Sequence, residues 1–349
     1  MFKQRLEQYC AQREEKISGV IKYIPFPLEA VSRYVPGIMR STYYCITSFT
    51  NVGKTPLAKY LFVITPFLYY KQTKRFNLKI MYFCLEETRE QFIDGLICAM
   101  LYDKYNIRLD YTQLNSYDNP IDSSILQKIA TFEDTFSELE SILSIVPNVT
   151  TTDDIMNYIR NYADSAGSYY NIHERVTRFE PHTHYVPADK DEFVIIVTDH
   201  VNILTPRTNE TLAATMDRHS TNHMLHECVK MYGYSVCDVH QQAAEGESAE
   251  YNKFNKNECS LSTLGDNKKV GRNYQVVLGL DMPQRYGISN HGGYNLDNFP
   301  NKAVNYRSLR VLKNRYGVSM VRKGLWFNPH SITFTELPTG AQIKYEDYA

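Results

Sequence analysis

An α/β fold built on a mostly parallel central sheet is the class this 349-residue sequence predicts, and three observations carry it. Short apolar segments suited to strands alternate with longer stretches of helical periodicity, the order that strand–helix–strand connections produce. One short segment, residues 193–198, is apolar almost throughout, as a strand buried on both faces requires. Several segments end in polar residues of distinct kinds, Ser48, Glu86, Asp199 and Gln241. Open α/β sheets place ligand-handling groups beyond the carboxyl ends of their strands, so these residues are the first candidates for function.

The elements follow in order. Residues 1–22 read as a short amphipathic helix with Leu6, Tyr9, Cys10 and Ile17 on one face. Such a helix is marginal alone and is expected to dock on another surface. Pro25, Pro27 and Pro36 punctuate a connector. A strand at 43–47 enters a loop at 48–55, and a helix runs from 55 to about 70. A strand at 79–84 and a helix at 87–102 come next. Residues 106–146 read as two helices, because Leu126, Ile129, Phe132, Phe136 and Leu139 recur at helical spacing. Thr152-Asp153-Asp154 opens a capped helix that ends near Gly167. Residues 169–190, rich in His, Pro and Tyr, read as an inserted irregular loop or hairpin. A long helix at 209–232 and a strand at 234–239 lead to a polar, mobile segment at 243–256. Strands at 275–280 and 308–312 precede a terminal β-meander formed by 318–321 and 325–327. The organisation is one domain, 23–349, preceded by the helix 1–22.

Apolar content of 43% and charged content of 22% allow a sizeable core. A net charge of −1 excludes a polycation, so any nucleic-acid contact rests on local patches. The seven cysteines form no CxxC pair and read as reduced thiols of a cytoplasmic protein. His182 and His184 lack partner ligands for a metal and read as loop residues. The N-terminus has no signal-peptide core, and the longest apolar stretch, 61–70, is short for a membrane span and contains Pro66. The expectation is a soluble intracellular protein with no membrane partner. The 28 tyrosines against one tryptophan suggest an A+T-rich genome, and the compact single unit suggests a viral one, which would place it in a host cytoplasm.

The richest segment is Ser48-Phe49-Thr50-Asn51-Val52-Gly53-Lys54-Thr55, followed by Pro56. Backbone N–H groups of a tight loop at a helix start cradle phosphate oxygens. Lys54 neutralises the terminal phosphates and Thr55 ligates magnesium. Ser48 stands where the usual pattern opens with glycine, and Pro56 removes one N–H in the first helical turn. Glu86, at the tip of what is expected to be the strand beside this loop, suits a general base for water, with Glu87 a surface residue. Asp199 supplies a second acid on the magnesium side. Gln241 suits a sensor of the γ-phosphate, a task His240 or Gln242 could share. Within 302–323 seven basic residues occur with no acid. Lys313 and Arg315, two apart on a strand, point the same way and suit charge-stabilising fingers reaching a neighbouring subunit's nucleotide. Lys268, Lys269 and Arg272 lie in a polar loop that can grip a nucleic-acid backbone.

With these residues in place, the chain resembles the ATPase domain of DnaB-type replicative DNA helicases, a branch of the RecA-like P-loop NTPases. The resemblance spans roughly 20–340 and includes Phe83-Cys84-Leu85-Glu86-Glu87-Thr88-Arg89-Glu90-Gln91, Leu325-Trp326-Phe327-Asn328 and Phe334-Thr335-Glu336-Leu337. It implies ATP and Mg2+ as cofactors, six-membered rings on single-stranded DNA, Lys313 and Arg315 acting in trans, and residues 1–22 as a linker helix on the adjacent subunit. A primase or a helicase loader is an implied partner, although residues 1–349 are not expected to include a primase-binding amino-terminal domain. His200-Val201-Asn202 stands where the family usually carries a tyrosine and a leucine. Two other readings share the site: a RecA-like recombination ATPase forming filaments, and a catalytically silent nucleic-acid-binding protein of the same fold.

Overall fold

Nine strands form one sheet in a computed structural model that describes residues 2–17, 19–172, 174–253 and 257–348. In chain order they are β1 (Tyr43–Ser48), β2 (Leu78–Cys84), β3 (Leu143–Val146), β4 (Phe193–Asp199), β5 (Ser235–Gln241), β6 (Val276–Asp281), β7 (Tyr306–Asn314), β8 (Arg322–Asn328) and β9 (Thr333–Glu336). Across the sheet they lie β9-β8-β7-β6-β1-β5-β4-β2-β3. The six from β6 to β3 are parallel. The remaining three extend the sheet antiparallel. This is a RecA-like core, with helices on the sheet and a terminal meander. β1, β4 and β6 are buried at every position, which accounts for their continuous apolar runs.

The helix after the first loop runs from Lys54 to Thr73 and widens to π geometry over Tyr60–Ile64. Pro66 lies just beyond the widened turn and has no N–H to donate back, and the Tyr60 carbonyl accepts both the Thr65 N–H and the Thr65 hydroxyl, the latter at 2.7 Å. A capping box between Thr88 and Gln91 starts the helix Arg89–Tyr105. The 212–231 helix begins at Leu212, three residues later than expected, because Thr211 caps it, and it is π-helical from His219 onward.

Four expectations are corrected or refined by the structure. Residues 106–146 hold three helices, Tyr111–Leu114, Ser123–Ala130 and Glu133–Ile142, and then the edge strand β3. Asp110 and Asp122 cap the first two helices, and periodicity cannot see that Leu143–Val146 pairs with β2. The inserted segment is a three-stranded antiparallel sheet, Gly167–Asn171 between Glu174–Val176 and His184–Pro187. Its tyrosines are structural: Tyr169 and Tyr185 are buried against Tyr232. Residues 318–321 are not a strand, and β8 takes their place in the meander. Ala244–Glu247 and Ala249–Lys253 form a short turn and a helix in the segment expected to be mobile, whose residues 254–256 lie outside the described ones.

The helix Phe2–Ile17 buries none of its residues, and Leu6, Tyr9, Cys10 and Ile17 are all exposed. All seven cysteines are free thiols, six of them buried. Among the described residues no helix is long and apolar enough to cross a membrane.

Candidate active site

The carboxyl ends of β1, β5, β4 and β2 gather the polar residues that the sequence singled out. Loop 48–55 leaves β1 and is fixed from below by Phe49 and Val52, both buried. Asn51 and Gly53 take left-handed backbone, with φ of 59° and 116°, which brings the chain round into the helix. Among the described residues, the N–H groups of Gly53, Lys54 and Thr55 have no acceptor. Three free donors at a helix start suit phosphate oxygens. Pro56 costs this cradle no intrahelical bond, because the first bond closes at Leu57, whose N–H reaches the Gly53 carbonyl. Ser48 remains within β1, its hydroxyl donating to the Phe49 carbonyl.

Lys54 is only 7% exposed, yet among the described residues it has no hydrogen bond or ion pair. A buried ammonium without a counter-charge is costly unless an anion completes it. Beside it the Thr55 hydroxyl donates to Asp199 Oδ1 at 3.1 Å, and the Tyr82 hydroxyl donates to Oδ2 at 2.7 Å. Asp199 is buried, and burial pushes its carboxyl up while these two hydroxyls oppose the shift. A hydroxyl and a carboxylate side by side, with no cation among their hydrogen-bond partners, form a donor set that fits magnesium.

Glu86 does not stand on the strand next to the loop, as expected. β5 and β4 lie between β1 and β2, so the two strands are separated by three spacings, roughly 14 Å. The helix Lys54–Thr73 bridges that distance: Lys59 on it is buried and pairs with Glu87 at 2.7 Å. Glu87 is thus a partner of a buried lysine and no surface residue. Its carboxyl is pushed up by burial, against the pull of Lys59. The Leu85 N–H donates to the Asp199 carbonyl at 2.8 Å, tying the ends of β2 and β4 together. Glu86 itself is half exposed and meets His200 Nε2 at 2.8 Å.

Gln241 ends β5 beside the loop, its amide donating to the Thr50 hydroxyl at 2.8 Å. Its neighbours point elsewhere. His240 is buried with Nε2 at 2.8 Å from the Gly265 carbonyl, and Gln242 is buried with its amide donating to Thr47. The register therefore leaves Gln241 alone of the three at the loop. A groove of about 1260 Å³ continues from here, lined by His200, Asn202, Gln241, Asp266, Lys268 and Lys269 among others. Lys268, Lys269 and Arg272 are exposed on a short 3-10 turn whose Val270 and Gly271 are buried.

The basic run 302–323 divides by position along β7 and β8. Arg307 is buried against the loop, donating to the Val52 carbonyl at 2.6 Å, and burial pushes its guanidinium down to about 10. Arg310 is buried in an ion cluster with Glu258 and Asp281. Lys313 and Arg315 lie at the opposite end of the sheet from their own loop. Arg315 is level with Gln275 and hence with Tyr43, five residues or roughly 16 Å before Ser48. Arg315 lies just beyond the end of β7 and not on the strand with Lys313 as expected, yet both donate to main-chain carbonyls at the end of the basic turn. Lys313 reaches those of Gly271 and Arg272 at 2.9 and 3.0 Å, and Arg315 that of Arg272 at 2.8 Å. His182 and His184 pack on Tyr169 and Tyr170.

Sequence reasoning missed His200, Asn202, Lys59 and Arg307 as supports of the site. His200 and Asn202 carried a signal, since they closely follow a strand-ending acid. Arg307 belonged to the basic run but was not set apart within it, and Lys59 carried none.

No family model matches the sequence, and no curated protein matches it. Solved structures do. One solved ATPase domain superposes with a TM-score of 0.65 over 95% of this chain and 99% of that one, at 14% identity. A DnaB-like replicative helicase, solved in a study of its interactions with primase, gives a TM-score of 0.64 over 94% of this chain and 67% of that one, at 15% identity. The fold is that of a DnaB-type helicase ATPase domain.

Proposed function

We propose that this chain is an ATP-driven motor that translocates on single-stranded DNA and unwinds duplex during replication, working as a ring-shaped homo-oligomer, a hexamer. The observation that carries the reading is the buried, unpaired Lys54 beside the Thr55–Asp199 pair on one sheet edge, with Glu86 and Gln241 at the same edge. The DnaB-type fold supports it.

In this reading the N–H groups of residues 53–55 and the Lys54 ammonium hold the β- and γ-phosphates of ATP. Thr55 and Asp199 would hold Mg2+, which supplies further neutralisation of the phosphate oxygens. Glu86, half exposed at its strand tip, accepts the proton of the attacking water. Gln241 senses the γ-phosphate, and its link to Thr50 couples loop and strand.

Lys313 and Arg315 stand too far along the sheet to serve their own loop, which favours action on a neighbour's nucleotide. The uncovered helix Phe2–Ile17 would act as the linker that docks on the adjacent subunit, and Lys268, Lys269 and Arg272 would grip the DNA backbone. A primase or loader would be a further partner.

Steady-state ATP turnover with single-stranded DNA tests this. Lys54→Ala and Glu86→Ala should each abolish stimulated turnover, and undiminished turnover in either rejects the site. Arg315→Ala should also be inactive, and mixing it with Lys54→Ala subunits should restore part of the activity. No recovery on mixing rejects action in trans. Negative-stain images with nucleotide and DNA separate closed rings from filaments.

A further inference from the structure

The three-residue turn after Asp199 bonds at once to the proposed base, to the proposed sensor and to Asp266, which leads into the basic turn. His200 is buried, with Nε2 at 2.8 Å from Glu86 Oε1 and no protein partner for Nδ1 among the described residues. Donation to the carboxylate therefore requires the tautomer with hydrogen on Nε2. Two residues on, Asn202 uses both ends of its amide. Its oxygen accepts the main-chain N–H of Gln241 at 2.7 Å, and its nitrogen donates to Asp266 Oδ2 at 2.7 Å. Asp266 lies two residues before the turn Lys268–Arg272, and the Gly265 N–H and carbonyl are bonded to Gln241 and His240. There is no slack at Gly265: a Cβ there would meet the Gln241 carbonyl at 2.9 Å and the Asn202 amide nitrogen at 3.1 Å.

We propose that residues 200–202 form the coupling element of this motor. His200 is a positioning residue for Glu86. Asn202 joins the Gln241 backbone to Asp266, so that nucleic acid held at Lys268, Lys269 and Arg272 acts on the placement of sensor and base. The proposal rests on the reading of the chain as a DNA-stimulated ATPase and adds the route by which DNA stimulates it. The physical warrant is continuity. Displacing the basic turn pulls on Asp266, Asp266 pulls the Asn202 amide, and the same short turn carries the imidazole that fixes Glu86.

The test uses the full chain, ATP and a fluorescein-labelled oligo-dT. Asp266→Ala and Asn202→Asp both break the amide–carboxylate link. Each should bind oligo-dT within about twofold of the wild type while losing about fivefold or more of the DNA stimulation, a coupling loss in the ordinary range. His200→Ala should lower kcat about tenfold or more with KM for ATP within about threefold. His200→Gln, whose amide nitrogen reaches the position of Nε2, should recover most of kcat, and the shorter His200→Asn should not. Wild-type stimulation in both link variants, or equal turnover of the Gln and Asn variants, overturns the coupling role. A wild type that hydrolyses ATP with no response to oligo-dT instead overturns the motor reading beneath it. Thermal unfolding of each variant separates lost coupling from lost folding.

Discussion

At the tip of β1, Lys54 is buried with no anion among the described residues, and the buried Asp199 carboxylate is hydrogen-bonded only to the hydroxyls of Thr55 and Tyr82. On the antiparallel side of the same sheet, Glu258 meets His291 at 3.0 Å, Arg310 at 2.9 Å and Arg322 at 2.7 Å, and Arg310 also meets Asp281 at 3.1 Å. Both clusters hold buried charge, although Arg322 at the edge of the second is exposed. Only the second satisfies it within the protein. Burial opposes the charge of Glu258, yet the His291 hydrogen bond and the two arginines bring its carboxyl down to about 2. At Asp199 burial prevails and the carboxyl is pushed up. The difference teaches how to sort charged residues in such a fold. Buried charges that lack counter-charges are the candidates for ligand binding, whereas mutually paired ones are candidates for holding the chain together.

The sharpest way to break this distinction is Lys54→Ala. If Lys54 serves a ligand, turnover should fall by about 10²–10³-fold while stability changes by less than about 1 kcal/mol, because no internal partner is orphaned. A large loss in urea unfolding would show that Lys54 belongs to the fold.

Glu258→Gln should behave in the opposite way, lowering stability by about 2–3 kcal/mol at neutral pH with ATP turnover retained. The sign follows from the depressed carboxyl. Its contribution is complete above the ordinary carboxylate value of 4.5 and is lost as pH falls toward 2, so the unfolding curves of wild type and variant should converge there. A gap that persists in acid would mean that packing, not charge, is what the substitution removed.

The smallest effect is expected at Tyr82 on β2, on the side of the first cluster away from the second. Tyr82→Phe deletes one hydrogen bond to Asp199 and should cost about 1 kcal/mol of stability with a few-fold loss of turnover. An unchanged turnover would mean that Asp199 needs no such support.

Much of this site is legible without coordinates. The loop 48–55, Asp199 and Gln241 announce themselves because each sits where an apolar run stops, and strand ends in a parallel sheet face one edge. The lateral order of the strands is not legible. Sequence reading puts Glu86 beside the loop, yet it stands three strands away, because pairing order is set by crossovers between distant segments. The basic run on β7 and β8 reads as uniform and is several sites, since burial depends on what each residue faces. Glu87 reads as a surface residue because nothing near it in sequence shows that Lys59 lies beneath it.

The sequence by itself determined the α/β class, the place of the loop 48–55 and the polar residues that end the core strands, because strand periodicity, turn geometry and capping act over a few residues. The tertiary structure alone decided which of those residues meet. It set Glu86 against His200, Asn202 between Gln241 and Asp266, and Lys313 and Arg315 at the far end of the sheet from their own loop. Glu86 and His200 are 114 residues apart in the chain, and only the packed sheet brings such distant segments within hydrogen-bond reach.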